Sequence, residues 1–188
     1  MPSPLAHALG GLIVHIATAP RDEIASRRRA LVTVGAALAP DLDFAWRLLD
    51  GVNHHQAQGH SLGVGLGVAA LVTAAAALSG VRRPWALGLA ALLGWSSHLF
   101  LDLMNVDTHP PIGLMALWPL SDSHFKSPWP LFLDIGRTLN WRTVRHDVVA
   151  VAWELGILCP VLIAAWRVRA RRRAGAWNGE RFREQVGR

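Results

Sequence analysis

Read between its charges, the chain is a succession of five apolar stretches. They run from Met1 to Pro20, Ala30 to Pro40, Ser61 to Val81, Pro84 to Leu101, and Val148 to Trp166, the last interrupted only by Glu154. A helix needs about 20 apolar residues to cross the hydrocarbon of a bilayer, so the third, fourth and fifth stretches predict spanning helices. The first is long enough, but its helix starts no earlier than about Pro4, and it carries His7 and His15. The second is half a membrane deep before it meets Asp41. Its helix is expected to begin earlier, within Asp22 to Arg29, and to end partway into the outer half of the bilayer. The pattern predicts an all-α, polytopic membrane bundle of about four to five helices. A long non-helical outer loop, Leu103 to Asp147, contains Pro110, Pro111, Pro119, Pro128 and Pro130, which suit an ordered excursion. Residues 1–166 are expected to form one membrane-embedded domain and 167–188 a basic tail. No internal repeat is visible. Ala17-Thr18-Ala19 has the small-x-small form of a signal cleavage site, but a basic leader is missing and His7 interrupts the apolar run.

Composition agrees with this pattern. Of 188 residues, 52% are hydrophobic and 17% charged, too apolar for a disordered chain or an ordinary small soluble domain. The formal charge of +6 and the predominance of Arg raise a nucleic-acid reading, which the position of the charge removes. Arg167 to Arg188 holds eight Arg and two Glu, the whole excess, while the remainder has eleven basic and eleven acidic residues. Such a tail is a topological anchor beside an anionic cytoplasmic leaflet. Arg21, Arg27, Arg28, Arg29, Arg82 and Arg83 join it on the same side if all five segments cross. Arg47, Lys126, Arg137, Arg142 and Arg145 fall on the other. By the positive-inside rule the tail is cytoplasmic and the opposite ends face outward. The lone Cys159 can form no internal disulfide.

The same threading gathers candidate ligands. Eight of nine His, all but His15, lie at or near the outer ends, with Asp41, Asp43, Asp50, Asp102, Asp107, Asp122, Asp134 and Asp147. Ionisable groups at membrane depth are costly and tend to mark function. His98 and Asp102, four residues apart, share one helical face and can reach one ion. Pro40-Asp41-Leu42-Asp43 places two carboxylates where a proline breaks the helix. His54, His55 and His60 precede the third span, and the five-residue step from His55 to His60 requires a loop for joint ligation. His7 starts the first helix at the same level. Glu154 faces the bundle about two turns down the fifth span, as a ligand or, preferably, as an acceptor behind the ligands or a structural hydrogen bond. The helices beginning near His7, Ser61 and Asp147 direct positive dipole ends outward, which favours an anionic group such as phosphate.

Two other motifs compete. Gly59-His60-Ser61-Leu62-Gly63 fits the G-x-S-x-G nucleophile elbow of serine hydrolases, with Ser61 as nucleophile. That elbow needs a strand before the turn, and none is predicted, so Ser61 is expected to cap the third helix instead. Gly63 and Gly67 form a small-xxx-small face suited to close helix packing. Trp118, Trp129 and Trp141 read as interfacial anchors or a lid.

The ordered set of motifs resembles the YdjM-type family of membrane-bound metal-dependent hydrolases. It is carried by Ala6-His7-Ala8, Pro40-Asp41-Leu42-Asp43, His55-x-x-x-x-His60-Ser61, and Gly94-Trp95-Ser96-Ser97-His98-Leu99-Phe100-Leu101-Asp102. Leu117-Trp118-Pro119-Leu120-Ser121 and Leu139-Asn140-Trp141-Arg142 through Glu154 continue it. The family usually reads His-Arg-Gly before Thr-His-Ser. Here Gln56-Ala57-Gln58-Gly59 separates the two histidines, so the arginine that would contact an anion is absent. The family is also distantly similar to zinc-dependent phospholipase C and related nucleases. The resemblance implies metal-assisted hydrolysis of a phosphoester or lipid-like substrate at the outer face of a bacterial inner membrane. One to three divalent ions, zinc foremost, would be held by His7, Asp41, Asp43, His55, His60, His98 and Asp102. They would activate a water for attack, with Asp41 and Asp43 also in the catalytic role. A non-enzymatic metal-binding membrane protein or transporter component, using the same ligands and a polar path through His15 and Glu154, is the alternative. Membrane lipids are the expected partners, and nucleic acid is not.

Overall fold

The computed structural model describes all residues except 21–22, 46–48, 50, 52–54, 109, 137 and 187–188, and the side chains of these residues less 23–25 and 173–186. Arg21, Arg47, Asp50, His54, His109 and Arg137 therefore lie outside the described residues. Among those described there are five α-helices and no strand, only two isolated bridges, Asn105 with Phe132 and Leu114 with Phe125.

Local sequence sets each helix boundary. Helix α1, Pro4–Thr18, begins with proline after Ser3, whose hydroxyl accepts from the Ala6 N–H at 3.2 Å, and stops before Pro20. Helix α2, Glu23–Leu38, gives way at Pro40 to a tighter 3₁₀ segment, Ala39–Ala45. Helix α3, Leu62–Leu78, is capped by the Ser61 hydroxyl, which accepts from Val64 N–H at 3.2 Å. Helix α4, Pro84–Leu103, again starts with proline. Helix α5, Trp141–Val186, contains Pro160 and runs on through the basic segment. It starts seven residues before the apolar run does, because the Asn140 side chain accepts from Thr143 N–H at 3.0 Å and closes the long loop there.

Helix α4 is central. It packs against α1, α2 and α3, whereas α5 packs mainly along α1 and reaches α2 through Arg169, which donates to the Ser26 hydroxyl at 3.1 Å. Helix α4 and residues Trp141–Arg172 of α5 are long and apolar enough to cross a membrane, while α1 and α3, at 15 and 17 residues, fall short of that length test. About half of the apolar span of α4 is buried in the protein but only 17% of that of α5. Leu66, Leu71, Leu89, Phe100, Val148, Val149 and Ile163 are exposed. So much outward apolar surface suits a lipid environment.

Gly63 and Gly67 do not form the expected helix-packing face. A Cβ on Gly63 would meet the Trp118 carbonyl rather than a helix, and Gly67 has nothing within 4 Å. Close helix contacts lie on other faces. Gly65 abuts the Trp95 ring, Gly88 meets Ala69 and Thr73 of α3, Gly94 meets Thr33 of α2, and Gly11 meets Val34 and Ala37. Position 65 is about 200° around the helix from 63, so the face with fewer glycines became the contact face.

The 104–140 connection contains no helix among its described residues. It folds back on the end of α4 and the start of α3. Leu131 and Phe132 N–H groups donate to Met104 O, Ser127 N–H donates to Leu103 O, and Leu62 N–H donates to Ala116 O. Phe132 packs with Ala6, Leu101 and Leu158, and Leu114 with Trp95 and Leu99. Trp129 and Trp141 are exposed at 82% and 75%, while Trp118 is half-buried against Gly63.

Candidate metal centre

Four separate segments bring seven ionisable side chains together where α1 begins and α4 ends. His7 lies in the first turns of α1, and His98 and Asp102 in the last turns of α4. Asp41 and Asp43 come from the 3₁₀ segment, and His55 and His60 from the turns before α3. His7, His60 and His98 have no exposed surface, and Asp102 has 3%. Asp41, with a side chain 14% exposed, is the most accessible member.

Local backbone explains the convergence. Gln56, at φ 66°, occupies the left-handed region, uncommon for a residue with a Cβ, and its carbonyl is held by Met115 N–H at 3.1 Å. This turn and the His60 N–H to Ala57 O bond of 2.9 Å bridge the five-residue step that no helix could span. Gly11 and Gly94, each one turn deeper than His7 and His98, let α1, α2 and α4 approach until the two imidazoles stack at 3.8 Å.

His98 has a determined tautomer. Its Nδ1 lies 2.9 Å from Ala37 O. A carbonyl only accepts, so Nδ1 carries hydrogen and neutral His98 presents the Nε2 lone pair to the centre. That Nε2 is 3.1 Å from Asp102 Oδ2 and 3.7 Å from Asp41 Oδ1. His60 Nε2 lies 3.5 Å from Asp102 Oδ2 and 3.7 Å from Asp41 Oδ1, and His7 Nε2 is 3.5 Å from Asp102 Oδ1. Asp43 sits behind the imidazoles, its Oδ1 3.2 Å from His55 Nδ1 and its Oδ2 3.0 Å from His60 Nδ1.

These atoms fall into two candidate ligand groups, His7 with His98 and Asp102, and Asp41 with His55 and His60. The inward nitrogens of His7, His60 and His98 and both oxygens of Asp41 and Asp102 are buried without a hydrogen bond of proper geometry. Leaving so many converging polar atoms unsatisfied is expensive. The separations of 3.1–3.7 Å are mostly long for hydrogen bonds. They bracket the roughly 3.3 Å edge of a tetrahedron of N and O donors around zinc. Mixed imidazole and carboxylate donors also suit a borderline divalent cation. The residues present therefore fit a metal ion.

Protonation in the metal-free protein points the same way. Burial opposes charge on His60, but the carboxylates of Asp41, Asp43 and Asp102 outweigh it and raise its pKa to about 9. Burial likewise opposes charge on Asp43, and hydrogen bonds from His55 and His60 outweigh it, holding the carboxyl at about 2. His55 is pushed down by burial, only partly opposed by Asp43. A cation entering here would take the place of the His60 proton among the carboxylates.

A family model described as YdjM inner membrane protein matches residues 1–175. The chain belongs to the YdjM inner membrane protein family. No curated protein and no solved structure matches it. Every motif quoted for the resemblance lies within the YdjM match. The two long apolar helices accord with the membrane placement in the family's name.

The remaining candidates at this end of the bundle separate from the YdjM centre. Asp107 accepts from Gly113 N–H at 2.7 Å, Asp147 accepts from Gly136 N–H at 2.8 Å, and Asp134 holds Thr108 and His146. Asp122 and His124 are exposed. Ser61 caps α3, and with no strand before it among the described residues the nucleophile-elbow geometry is missing.

Glu154 is spoken for by the N-terminus. Its Oε1 accepts from Ser3 N–H at 2.7 Å and its Oε2 from the Ser3 hydroxyl, so it buttresses the cap of α1 and thereby sets His7. Its charge also opposes the positive end of the α1 dipole. Glu154→Gln replaces one acceptor with a donor facing Ser3. Stability is expected to fall by about 1–3 kcal/mol, with metal stoichiometry retained. Thermal unfolding in detergent, compared with Ser3→Ala and the double variant, measures this. Additive losses would show that the pair does not act together.

Proposed function

We propose that the chain is a membrane-bound metal-dependent hydrolase of a phosphoester or lipid-like substrate, with its centre at the outer face of the inner membrane. The observation that carries this reading is the buried, convergent and unsatisfied set of Nε2 and carboxylate atoms built by His7, Asp41, His55, His60, His98 and Asp102. The arginine distribution supports the outward orientation.

In this reading the chain's residues divide the work. His7, His98 and Asp102 hold one position and Asp41, His55 and His60 a second, with Asp102 and Asp41 near both. The chemistry a divalent ion such as zinc supplies there is Lewis-acid polarisation of the ester and acidification of a water. Asp43 and Ala37 O fix the imidazole rings by their Nδ1 atoms. Asp41, the most accessible carboxylate, accepts the proton from the attacking water. The exposed Trp129, Trp141 and Leu120 keep the ligand end at head-group depth, where a lipid ester is delivered. A carrier path through Glu154 loses support, because that carboxylate is bound to Ser3.

The test is turnover of phosphoester lipids by purified protein in detergent micelles. Activity is expected to vanish with chelator, return with zinc, and fall at least a thousandfold in Asp41→Ala. Ser61→Ala is expected to cost about 1 kcal/mol of stability as a lost cap and to leave turnover unchanged. Chelator-resistant hydrolysis that depends on Ser61 would overturn the reading.

A further inference from the structure

The opposite end of the bundle holds a second polar construction that the metal centre does not use. Helix α3 ends in a Schellman motif: Gly80, at φ 71°, donates to Ala77 O at 3.0 Å, and Val81 donates to Ala76 O at 3.0 Å. The terminal carbonyls are thus satisfied internally. The chain reverses at once into Arg82, Arg83 and Pro84, and α4 begins without a side-chain cap. Arg28 and Arg29 of α2 face the same place.

Together they line a cleft of about 700 Å³ with Trp85, and among the described residues no acidic one is in its lining. Arg28, Arg82 and Arg83 are exposed. Arg29 is not: it is 8% exposed, and its two terminal nitrogens donate to neutral oxygens, Ala86 O at 3.0 Å and Thr18 Oγ1 at 3.1 Å. Among the described residues its Nε has no acceptor and no carboxylate pairs with it. A buried charge answered only by neutral groups is costly, and an anion in the cleft would relieve it. Diffuse attraction to a membrane surface needs no buried arginine. Guanidinium groups around an uncapped helix N-terminus match the planar, multidentate chemistry of phosphate.

We propose that this cleft is a phosphate-binding site, taking the phosphate of an anionic glycerophospholipid or the free ion. It lies about 27 Å along α4 from Asp102 and is independent of the hydrolase reading. The exposed indole of Trp85 sets its mouth at head-group level.

The test titrates full-length protein in detergent with dioctanoyl phosphatidylglycerol and, separately, with inorganic phosphate, counting bound equivalents by native mass spectrometry and measuring affinity by calorimetry. Saturation at one equivalent is expected. Arg82→Ala with Arg83→Ala, two exposed positions, should weaken binding at least tenfold. Arg142→Ala with Arg145→Ala, an equal charge loss at the other end, should leave it unchanged. Arg29→Lys should also weaken it, through loss of the forked donor set. Saturation by lipid alone assigns the site to a head group, and displacement of lipid by inorganic phosphate assigns it to the anion in general. Failure of both to bind stoichiometrically, or equal weakening in the two double variants, would overturn the inference.

Discussion

Asp102→Asn is expected to strip the purified protein of its divalent metal, from at least one equivalent per chain to less than a tenth. Asp102 is the carboxylate that faces three imidazoles, with Oδ1 3.5 Å from His7 and Oδ2 3.1 Å from His98 and 3.5 Å from His60. It thus stands in one ligand group and reaches into the other. Asparagine keeps its volume and one carbonyl oxygen but removes the negative charge and one ligand atom, so the helix should persist while affinity falls more than a hundredfold. Elemental analysis reads the metal and far-UV circular dichroism reads the fold. Glu154→Gln is the matched control, the same chemical change at another buried carboxylate. Undiminished metal in a folded Asp102→Asn protein would remove Asp102 from the site.

Gly94→Ala is expected to damage stability and metal binding together. A Cβ at position 94 would lie 2.1 Å from the Thr33 carbonyl, with the Thr33 backbone behind it, so α2 and α4 must separate. Overpacking of this kind costs about 1–3 kcal/mol. The same movement pulls His98 Nδ1 from Ala37 O, one turn along both helices, and loss of such an orienting bond typically costs about 10–100-fold in metal affinity. Gly67→Ala supplies the contrast. Nothing lies within 4 Å of it, and alanine favours the helix by about 1 kcal/mol. Its melting temperature should hold or rise. Equal behaviour of the two variants would mean that helix spacing does not position the ligands.

The helices and the residues that converge at the candidate centre were legible because each depends on local pattern. Apolar runs between charges mark α1 to α5, and Pro40 marks the break that turns Asp41 inward. The four-residue step of His98 and Asp102 declares a shared face. The His55 to His60 spacing excludes a helix, which the turns around Gln56 bear out. What could not be read is whatever depends on neighbours remote in sequence. Gly63 and Gly67 look like a packing face, yet which side of α3 meets α4 is decided by Trp95 and Thr73. Asp107, Asp134 and Asp147 share the polarity of the clustered residues but are used by backbone N–H groups and side chains of the folded loop. Ala37 orients His98 through a main-chain carbonyl, which leaves no side-chain signature. The glycines one turn from His7 and His98 were the available clue to that approach.

The bond between Ser3 and Glu154 spans 151 positions, and this orders events during synthesis. Helix α1 receives its buttress only once α5 has been made. Until then Ser3 lacks its acceptor, so the cap of α1 is completed late in biogenesis, long after the residues that form it have been translated.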